Sequence, residues 1–543
     1  MTLPANFKFK STEDPKIIEQ LYTLCGTEWG GKLTPEQFGS AQAKGNFKYV
    51  DEGGRILSYY IEDVNTGTIV ATTSVKFCKA FYKPADRSSA ISSIPDPSLF
   101  GVNNATALLI SFVFTHKDYR KLGLAGQCVS KAIEATEKLI IKEKVDSSDE
   151  SVADNFKKMS IADGTNETDL QLANYYLSKE YIWILYSGVN TYYERFGFKS
   201  FPMDFYEVPN TLLTNDVESA IENLIKESKE EKQLPSGKSI RLLLGDNPAD
   251  QEIIQFILQN KELNIVTEIN KLQFHLNLQS DRKSSTSLTN MTNILSMSKL
   301  GSSTGLSSVA ETNAAAASSS SPGSPGVRRK SSVHHQTIPK FAIKPTYAHY
   351  QSNATVNKEM FDYFSEVSQK FANIQGAIVT NEVQQRSYYA LWCPLKGQFF
   401  ITGMGEIQFQ GIPSSLPANR PRRASSLSGI NELGGYNFKD LEVLVFTALH
   451  VAKNLDTHFD KVHISVNDLP EEIPDPVMYD FFINYLPASI QESEGVKEEA
   501  KAEVKLLTDA AHSIRVLPMV RKFGSQKSEF DLDWIADGMW CWG

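Results

Sequence analysis

Cysteine is scarce in this chain. Five occur in 543 residues: Cys25, Cys78, Cys128, Cys393 and Cys541. No two stand as C-x-x-C, which excludes the usual cysteine-rich zinc motifs. Thiols so far apart argue against a secreted disulfide framework and for a reducing compartment. Long apolar runs are lacking as well. No uncharged stretch reaches the roughly 20 residues of a membrane span. The start, MTLPANFKFKSTEDP, carries no apolar signal segment, and the end, MWCWG, is neither a prenylation box nor a peroxisomal tripeptide. An excess of basic charge is missing too: 55 Lys and Arg against 64 Asp and Glu leave a net charge of -9. That argues against a chain-wide surface for nucleic acid. The expectation is a soluble cytoplasmic protein that binds neither nucleic acid nor membrane.

What is present is enough to build large cores, since 41% of the residues are hydrophobic. Length alone suggests three or four domains at roughly 150 residues each. One stretch lowers that number. From about residue 277 to 338 the chain is dominated by Ser, Ala, Gly and Thr with almost no aromatics. It cannot bury enough apolar surface to offset its ordering entropy, so it is expected to be a disordered insert. A shorter break, containing SSLPANRPRRASSLSG, covers about 411–435 and is expected to be a flexible loop. These breaks divide the chain into a block of residues 1–235 and a block of residues 236–543.

The first block alternates strand and helix signals. Strands are expected at 7–10, 55–63, 69–78, 106–115, 181–186 and 199–208, with helices at 15–25, from the glycine-containing turn after the fourth strand to about 144, and at 190–195. The run TALLISFVFT at 106–115 is apolar throughout, as a central strand covered on both faces must be. In the following helix Val129, Ala132, Ile133, Thr136 and Ile140 share one face. The second block offers strands at 388–395, 398–404 and 461–468 and a helix at 439–455. A charged run at 491–507 reads as a helix with a solvated face, and an acidic stretch at 142–155 as a loop. The fold class expected is α+β in both blocks.

One turn carries chemistry. Tyr119-Arg120-Lys121-Leu122-Gly123-Leu124-Ala125-Gly126 joins the buried strand to the amphipathic helix. Small residues there allow a ligand close to the backbone, and the free amides of a helix start form an anion site. Arg120 and Lys121 add positive charge, so a pyrophosphate would suit it. The string is neither a Walker loop nor G-x-G-x-x-G. By itself it reads first as a strand-to-helix turn with an exposed basic pair.

Its context changes that reading. A strand followed by R-x-x-G-x-A resembles motif A of the GNAT superfamily of N-acetyltransferases. Downstream, YIWILYSG is followed by Asn190-Thr191-Tyr192-Tyr193-Glu194-Arg195-Phe196-Gly197-Phe198, similar to that family's N-x-x-Y-x-x-x-G-F helix. LYSGVNTYYERFGF, a large C-terminal extension and the WCWG end together resemble the fungal lysine N6-acetyltransferase family. The acetyltransferase motifs cover only about residues 106–200, and the Ser-rich insert departs from the compact family pattern.

The resemblance implies a GNAT-type mixed sheet, with acetyl-CoA as co-substrate lying between two splayed parallel strands. It implies that the backbone of Val113, Phe114 and Thr115 meets the pantetheine arm and thioester. The amides of Arg120, Lys121, Leu122, Gly123, Leu124, Ala125 and Gly126 would hold the diphosphate. Tyr193 stands where family members place the acid that serves the leaving thiolate; the alternative is an aromatic packing residue, with Tyr192 as its neighbouring substitute. Asn190 either bonds the pantetheine arm or caps its helix. The acceptor implied is the ε-amine of free L-lysine, as in lysine catabolism. Acetylation of protein lysines or another small amine, and a non-catalytic acetyl-CoA-binding scaffold, are the competing functions.

A lysine amine is mostly protonated at neutral pH and must lose that proton before attack. His116, Glu180 and Ser187 are candidates for the base, and none is assigned. His458 and His463 lack a metal-ligand pattern, so no metal is expected. The C-terminal block is compatible with a degenerate second GNAT-like module without an active site, since no R-x-x-G-x-[GA] follows a buried strand there. The tail from Asp533-Trp534 to Trp542 is expected to dock as buried anchors. Arg328-Arg329-Lys330-Ser331 and Arg422-Arg423-Ala424-Ser425 match a basophilic kinase pattern, which makes Ser331 and Ser425 expected phosphorylation sites.

Overall fold

The computed structural model describes residues 3–85, 102–146, 171, 174–230, 237–270, 338–383, 386–407, 438–456, 458–494 and 503–541. Apart from residue 338, the expected insert at 277–338 lies outside these residues. So do the loop at 411–435, Ser331, Ser425 and Trp542.

The described strands, in chain order, are β1 (Phe7–Thr12), β2 (Arg55–Asp63), β3 (Thr68–Lys83), β4 (Asn103–Thr115), β5 (Tyr181–Ser187), β6 (Lys199–Ser200), β7 (Phe205–Pro209), β8 (Lys238–Leu244), β9 (Lys340–Ile343), β10 (Ile374–Asn381), β11 (Arg386–Leu395), β12 (Gln398–Ile407), β13 (Lys461–Ser465), β14 (Lys505–Leu507), β15 (Leu517–Lys522) and β16 (Asp533–Trp534). They form two mixed sheets flanked by helices, the α+β class the sequence implies. The first runs β1-β2-β3-β4-β5-β15-β6, with β9 and β16 added beside the end of β3. The second runs β14-β7-β13-β12-β11-β10-β8. Each holds a parallel pair reached through a helix. In the first, β4 leads through α3 (Leu124–Asp146) to β5; in the second, β12 leads through the helix Phe438–Leu455 to β13. The second sheet thus repeats the central plan of the first.

Local signals start the helices. α1 (Pro15–Trp29) opens on Asp14, whose side chain accepts the Lys16 amide at 2.9 Å, with Pro15 in the first turn. α2 (Pro35–Asp51), which the sequence reading omitted, opens on a Thr34–Gln37 capping box. In α3 the residues Val129, Ala132, Ile133, Thr136 and Ile140 are all buried, as their spacing predicts. Burying each large apolar side chain of this face contributes roughly 1.5–3 kcal/mol.

Three expectations are corrected. The strand expected at 199–208 is two strands, β6 and β7, and they lie in different sheets. Pro202 lies between them; lacking an N–H, it cannot carry a ladder across the gap. The end of the charged run at 491–507 is not helical: residues 505–507 are β14, paired with β7 through Leu506 and Tyr206. The strand expected at 461–468 stops at Ser465, whose hydroxyl accepts the Asn467 amide and turns the chain.

The division near residue 235 does not separate the sheets. β9, β15 and β16 come from the second block and complete the first sheet, while β7 comes from the first block and sits inside the second. β15 fills the slot between β5 and β6, pairing from Leu517↔Ser187 to Lys522↔Ile182. The tail docks as expected. Trp534 and Trp540 are buried, the Met539 amide donates to Asp468 at 2.7 Å, and Lys261 pairs with the same carboxylate at 3.1 Å. Cys25, Cys78, Cys128 and Cys393 are free thiols. Among the described residues no helix is long and apolar enough to cross a membrane.

Because β15 is an internal strand, residues 1–235 expressed alone should fail to fold cooperatively. Co-expression with residues 236–543 should restore a soluble complex, read by gel filtration and circular dichroism. A second prediction concerns Glu207 on β7, which lies 3.4 Å from His463 Nε2 and 3.1 Å from Lys461 Nζ on β13. The His463 contact, opposed by burial and aided by Lys461, holds its carboxyl down to about 2. A depressed acid stabilises the fold above its ordinary value, and that contribution is lost as pH falls from about 4.5 towards 2. Glu207→Gln should therefore cost up to about 3 kcal/mol at pH 7 and about half that at pH 3, measured by urea unfolding.

Candidate active site

β4 and β5 pair in parallel only from Thr106↔Tyr181 to Leu109↔Ile184. β4 then continues to Thr115 and β5 to Ser187 without pairing to each other. The outer edge of β4 stays laddered to β3 as far as Thr115↔Ala71, and β5 stays laddered to β15 through Ser187. The strands therefore splay, and the facing edges beyond Leu109 and Ile184 are available to a ligand. Backbone N–H and C=O groups there need partners.

A bulge opens the splay. Between Ser74↔Ser111 and Thr72↔Phe114, β3 has one residue and β4 has two, Phe112 and Val113. Phe112 adopts a left-handed φ of 51°, uncommon for a bulky residue. Its ring offsets the strain by packing 4.4 Å from Tyr22 and 6.4 Å from Trp29, both on α1. The extra residue bends the strand away from β5. Of the residues expected to meet pantetheine, Val113 lies within the bulge. Phe114 is buried against Trp29, and the Thr115 carbonyl accepts from Arg120 Nε at 3.3 Å.

The expected diphosphate loop directly follows. Lys121 and Gly123 have φ of 67° and 72°, so the loop turns twice through the left-handed region before α3 begins at Leu124. A Cβ at Gly123 would meet nothing within 4 Å, so the approach is open. The Gln127 amide bonds back to the Gly123 carbonyl at 3.1 Å. The amides before it, of Leu124, Ala125 and Gly126, form the free helix start. Arg120 departs from its expected role in part: its guanidinium is paired with Glu28 on α1. The cation that does lie over the helix start is Arg195. Its guanidinium stacks 3.7 Å above the Tyr192 ring, and both side chains come within 3.3 Å of the Cβ position of Gly126. Sequence reading missed Arg195. The i, i+3 spacing from Tyr192 in a 3-10 helix, where such side chains eclipse, was the available signal.

Tyr193 lies on the other face of the 3-10 helix Asn190–Phe196. It is buried in the cluster that contains Ile110 and Leu185, the first residues past the last paired positions on β4 and β5. Its ring lies 6.3 Å from that of Phe198. Burial, reinforced by Tyr192, pushes its phenol well above the usual value, so it is protonated at neutral pH. Asn190 does not cap its helix; its side-chain amide lies 3.1 Å from His512 Nδ1. The candidate bases have local duties. His116 Nδ1 accepts the Asp118 amide, Glu180 pairs with Lys144, and the Ser187 hydroxyl donates to the Asn190 carbonyl at 2.6 Å.

The face of the splay opposite α3 is roofed by the second block. The Tyr186 hydroxyl on β5 donates to the Gly538 carbonyl at 3.3 Å. Lys396, at the tip of the β11–β12 hairpin, reaches the end of β5 at Gly188 and donates to the Arg515 carbonyl at 2.8 Å. The helix Tyr347–Phe361 covers β3, where the buried Lys76 donates to Ser352 at 3.3 Å. Away from the splay, Glu218, Glu222 and His450 bring three donor atoms together, with Glu218 already paired to Lys453. His458 and His463 are not part of that group.

No family model matches the sequence, and no curated protein matches it. Among solved structures, the fold is similar to a probable N-acyltransferase from Enterococcus faecalis (8% identity, 95% of this chain and 73% of that one, TM-score 0.36). It is also similar to a tandem GNAT protein from the clavulanic acid biosynthesis pathway (7%, 96% and 99%, TM-score 0.34). A third is a GCN5-related N-acetyltransferase from Kribbella flavida (8%, 95% and 72%, TM-score 0.32).

Gly123→Val places a β-branched residue at a φ of 72° and fills the open approach. It should cost about 1–2 kcal/mol of stability. It should also weaken binding of a pyrophosphate anion at this helix start about tenfold, measured by calorimetry.

Proposed function

We propose that this protein is an N-acetyltransferase that moves acetyl from acetyl-CoA to a small primary amine, in the first instance the ε-amine of free L-lysine. The observation that carries the reading is the splay itself. A bulged strand, an anion-binding helix start and a neutral buried tyrosine all meet at one end of the first sheet. The pantetheine amides would take the free edge groups of residues 110–115, and the diphosphate would take the amides at the start of α3, beside Arg195. The neutral amine attacks the thioester carbonyl carbon and the C–S bond breaks; the thiolate takes the Tyr193 proton, and the surplus proton on the new amide nitrogen returns through solvent to restore the phenol. A strand N–H at the open edge stabilises the developing oxyanion.

The roof over the splay favours a free amine over a protein chain. The tail, the hairpin tip and the helix Tyr347–Phe361 together enclose that face. A protein substrate would need an open groove there.

The test is coenzyme A release by purified protein with L-lysine, other amino acids, polyamines and a lysine peptide compared. Turnover selective for L-lysine is expected. Tyr193→Phe keeps the packed ring and removes the proton, so kcat should fall about 10²-fold with acetyl-CoA affinity unchanged. Turnover on peptide alone would overturn the metabolic reading. Acetyl-CoA binding with no turnover on any acceptor would support a scaffold.

A further inference from the structure

Two cations of the second block meet at the end of β5. Lys396 stands at the tip of the β11–β12 hairpin, and a Cβ at Gly188 would lie 2.5 Å from its Nζ. Gly188 directly follows Ser187, the last residue of β5, and its lack of a side chain is what admits the ammonium. Arg515 lies two residues ahead of β15, and its carbonyl accepts from Lys396 Nζ at 2.8 Å. Its backbone takes a left-handed φ of 55°, uncommon for a residue with a Cβ. The Arg515 guanidinium forms no hydrogen bond or ion pair with a described residue. It nevertheless acts on Lys396, whose stem is exposed but whose head is desolvated at the strand end. That desolvation, reinforced by the positive charge of Arg515, lowers the ammonium to about 8. Two cations held this close oppose one another, and an anion between them turns the repulsion into two charge-assisted contacts.

The pair adjoins the splay on its acceptor side. Leu395 and Ile514, next in the chain to the two cations, pack in one cluster with Tyr186 of β5, on the face away from α3. The helix start that would take the donor's diphosphate belongs to α3, on the other face. Distance along the strand then matters. Six bonds separate the carboxylate carbon of lysine from its ε-nitrogen. An extended chain of six bonds spans roughly 7 Å, the rise of two residues of strand. A carboxylate held at the level of Gly188 therefore places the amine at the level of Tyr186. That level lies inside the segment of β5, from Leu185 to Ser187, whose edge towards β4 is unpaired.

We propose that Lys396 and Arg515 hold the carboxylate of the acceptor, so that the enzyme selects a primary amine carried about six bonds from a carboxylate group. The inference rests on the acetyl-transfer reading and adds to it the chemical class of the acceptor. The hairpin tip and the residue that leads into β15 are thus specificity elements. They act as a ruler: the anion is fixed at the end of the strand, and chain length decides whether the amine reaches the open edge.

The full-length protein tests this with Lys396→Gln and Arg515→Gln, each of which removes one charge, and with Arg515→Lys, which keeps it. Arg515 is exposed, so its replacement leaves the core intact. The probes are L-lysine, 6-aminohexanoate, which keeps chain and carboxylate, and cadaverine, which is lysine without the carboxylate. Each Gln variant should raise KM for both carboxylates about tenfold, and Arg515→Lys should stay within threefold of wild type. The kcat and the KM for acetyl-CoA should stay within twofold, and the KM for cadaverine should not rise. An unchanged KM for both carboxylates, or an equal rise for cadaverine, would overturn the assignment and leave acetyl transfer standing. A rise in KM for acetyl-CoA alone would give the cations to the donor's phosphates and overturn it as well. If the wild type turns over no amine, acetyl transfer fails, and calorimetry with 6-aminohexanoate decides the anion site. Binding that Arg515→Gln abolishes upholds the site; no binding by wild type, or binding that both Gln variants keep, overturns it.

Discussion

The architecture depends on how β5 is shared between two neighbours. β4 claims only its first half, up to Ile184, whereas β15 claims it as far as Ser187. A strand held along one edge cannot follow a partner that bends away on the other. The bulge at Phe112 and Val113 supplies the bend, and β15 supplies the restraint. Without β15, β5 would present unpaired groups on both edges beyond Ile184 and would be free to close on β4 or on another chain. The splay is therefore a consequence of a strand that enters the sheet more than 300 residues later in sequence. The strain at Phe112, of order 1–3 kcal/mol, persists because α1 packs Tyr22 and Trp29 around its ring.

That dependence explains why the two halves exchange elements. β7 leaves the first half for the interior of the second sheet, and β9, β15 and β16 make the opposite passage. Each half lacks strands that only the other provides. The polar clamps follow the same lines. Asp468 in the second half ties down the tail through the Met539 amide, and the tail in turn holds Tyr186. Gly538 is required at that contact, because a Cβ there would lie 2.1 Å from the Asp468 carboxylate. The tail's share of the roof and the restraint on β5 thus belong to one continuous C-terminal segment, residues 503–541.

How far the sequence revealed this follows from the range of the interactions. The strand TALLISFVFT, the face of α3 and the 3-10 helix at Asn190 were legible, because periodicity and caps act over a few residues. The turn at 119–126 was legible as a strand-to-helix turn because glycine and small residues cluster there. The bulge was not, since nothing in LLISFVFT marks Phe112 for a left-handed φ; the ring contacts with α1 that sustain it are tertiary. The strand at 199–208 was mistaken for one element because its pattern is continuous, and its two halves diverge only because their partners lie in different sheets. β15 was missed altogether: LPMVRK is short, and its role is set by two strands more than 300 residues away. Arg195 escaped notice because the basic pair at 120–121 looked sufficient, yet Glu28 takes Arg120.

The same geometry divides the chemistry between the two faces of the first sheet. On the α3 side lie the fixed parts: the helix-start amides, Arg195 and a Tyr193 kept neutral by burial. In the proposed reaction they would recognise the donor, which is constant, and they are built from residues 106–198. On the opposite side lie the tail, the hairpin tip at Lys396 and the helix Tyr347–Phe361, all from the second half. In the proposed reaction that side would meet the acceptor. A thioester donor needs a rigid cradle, because the leaving sulfur must meet its acid at one position. An acceptor pocket needs distinctive side chains, because the amine must be told from others of similar size. Placing the two tasks on separate halves lets the second half specify the amine without disturbing the bulge on which the splay depends.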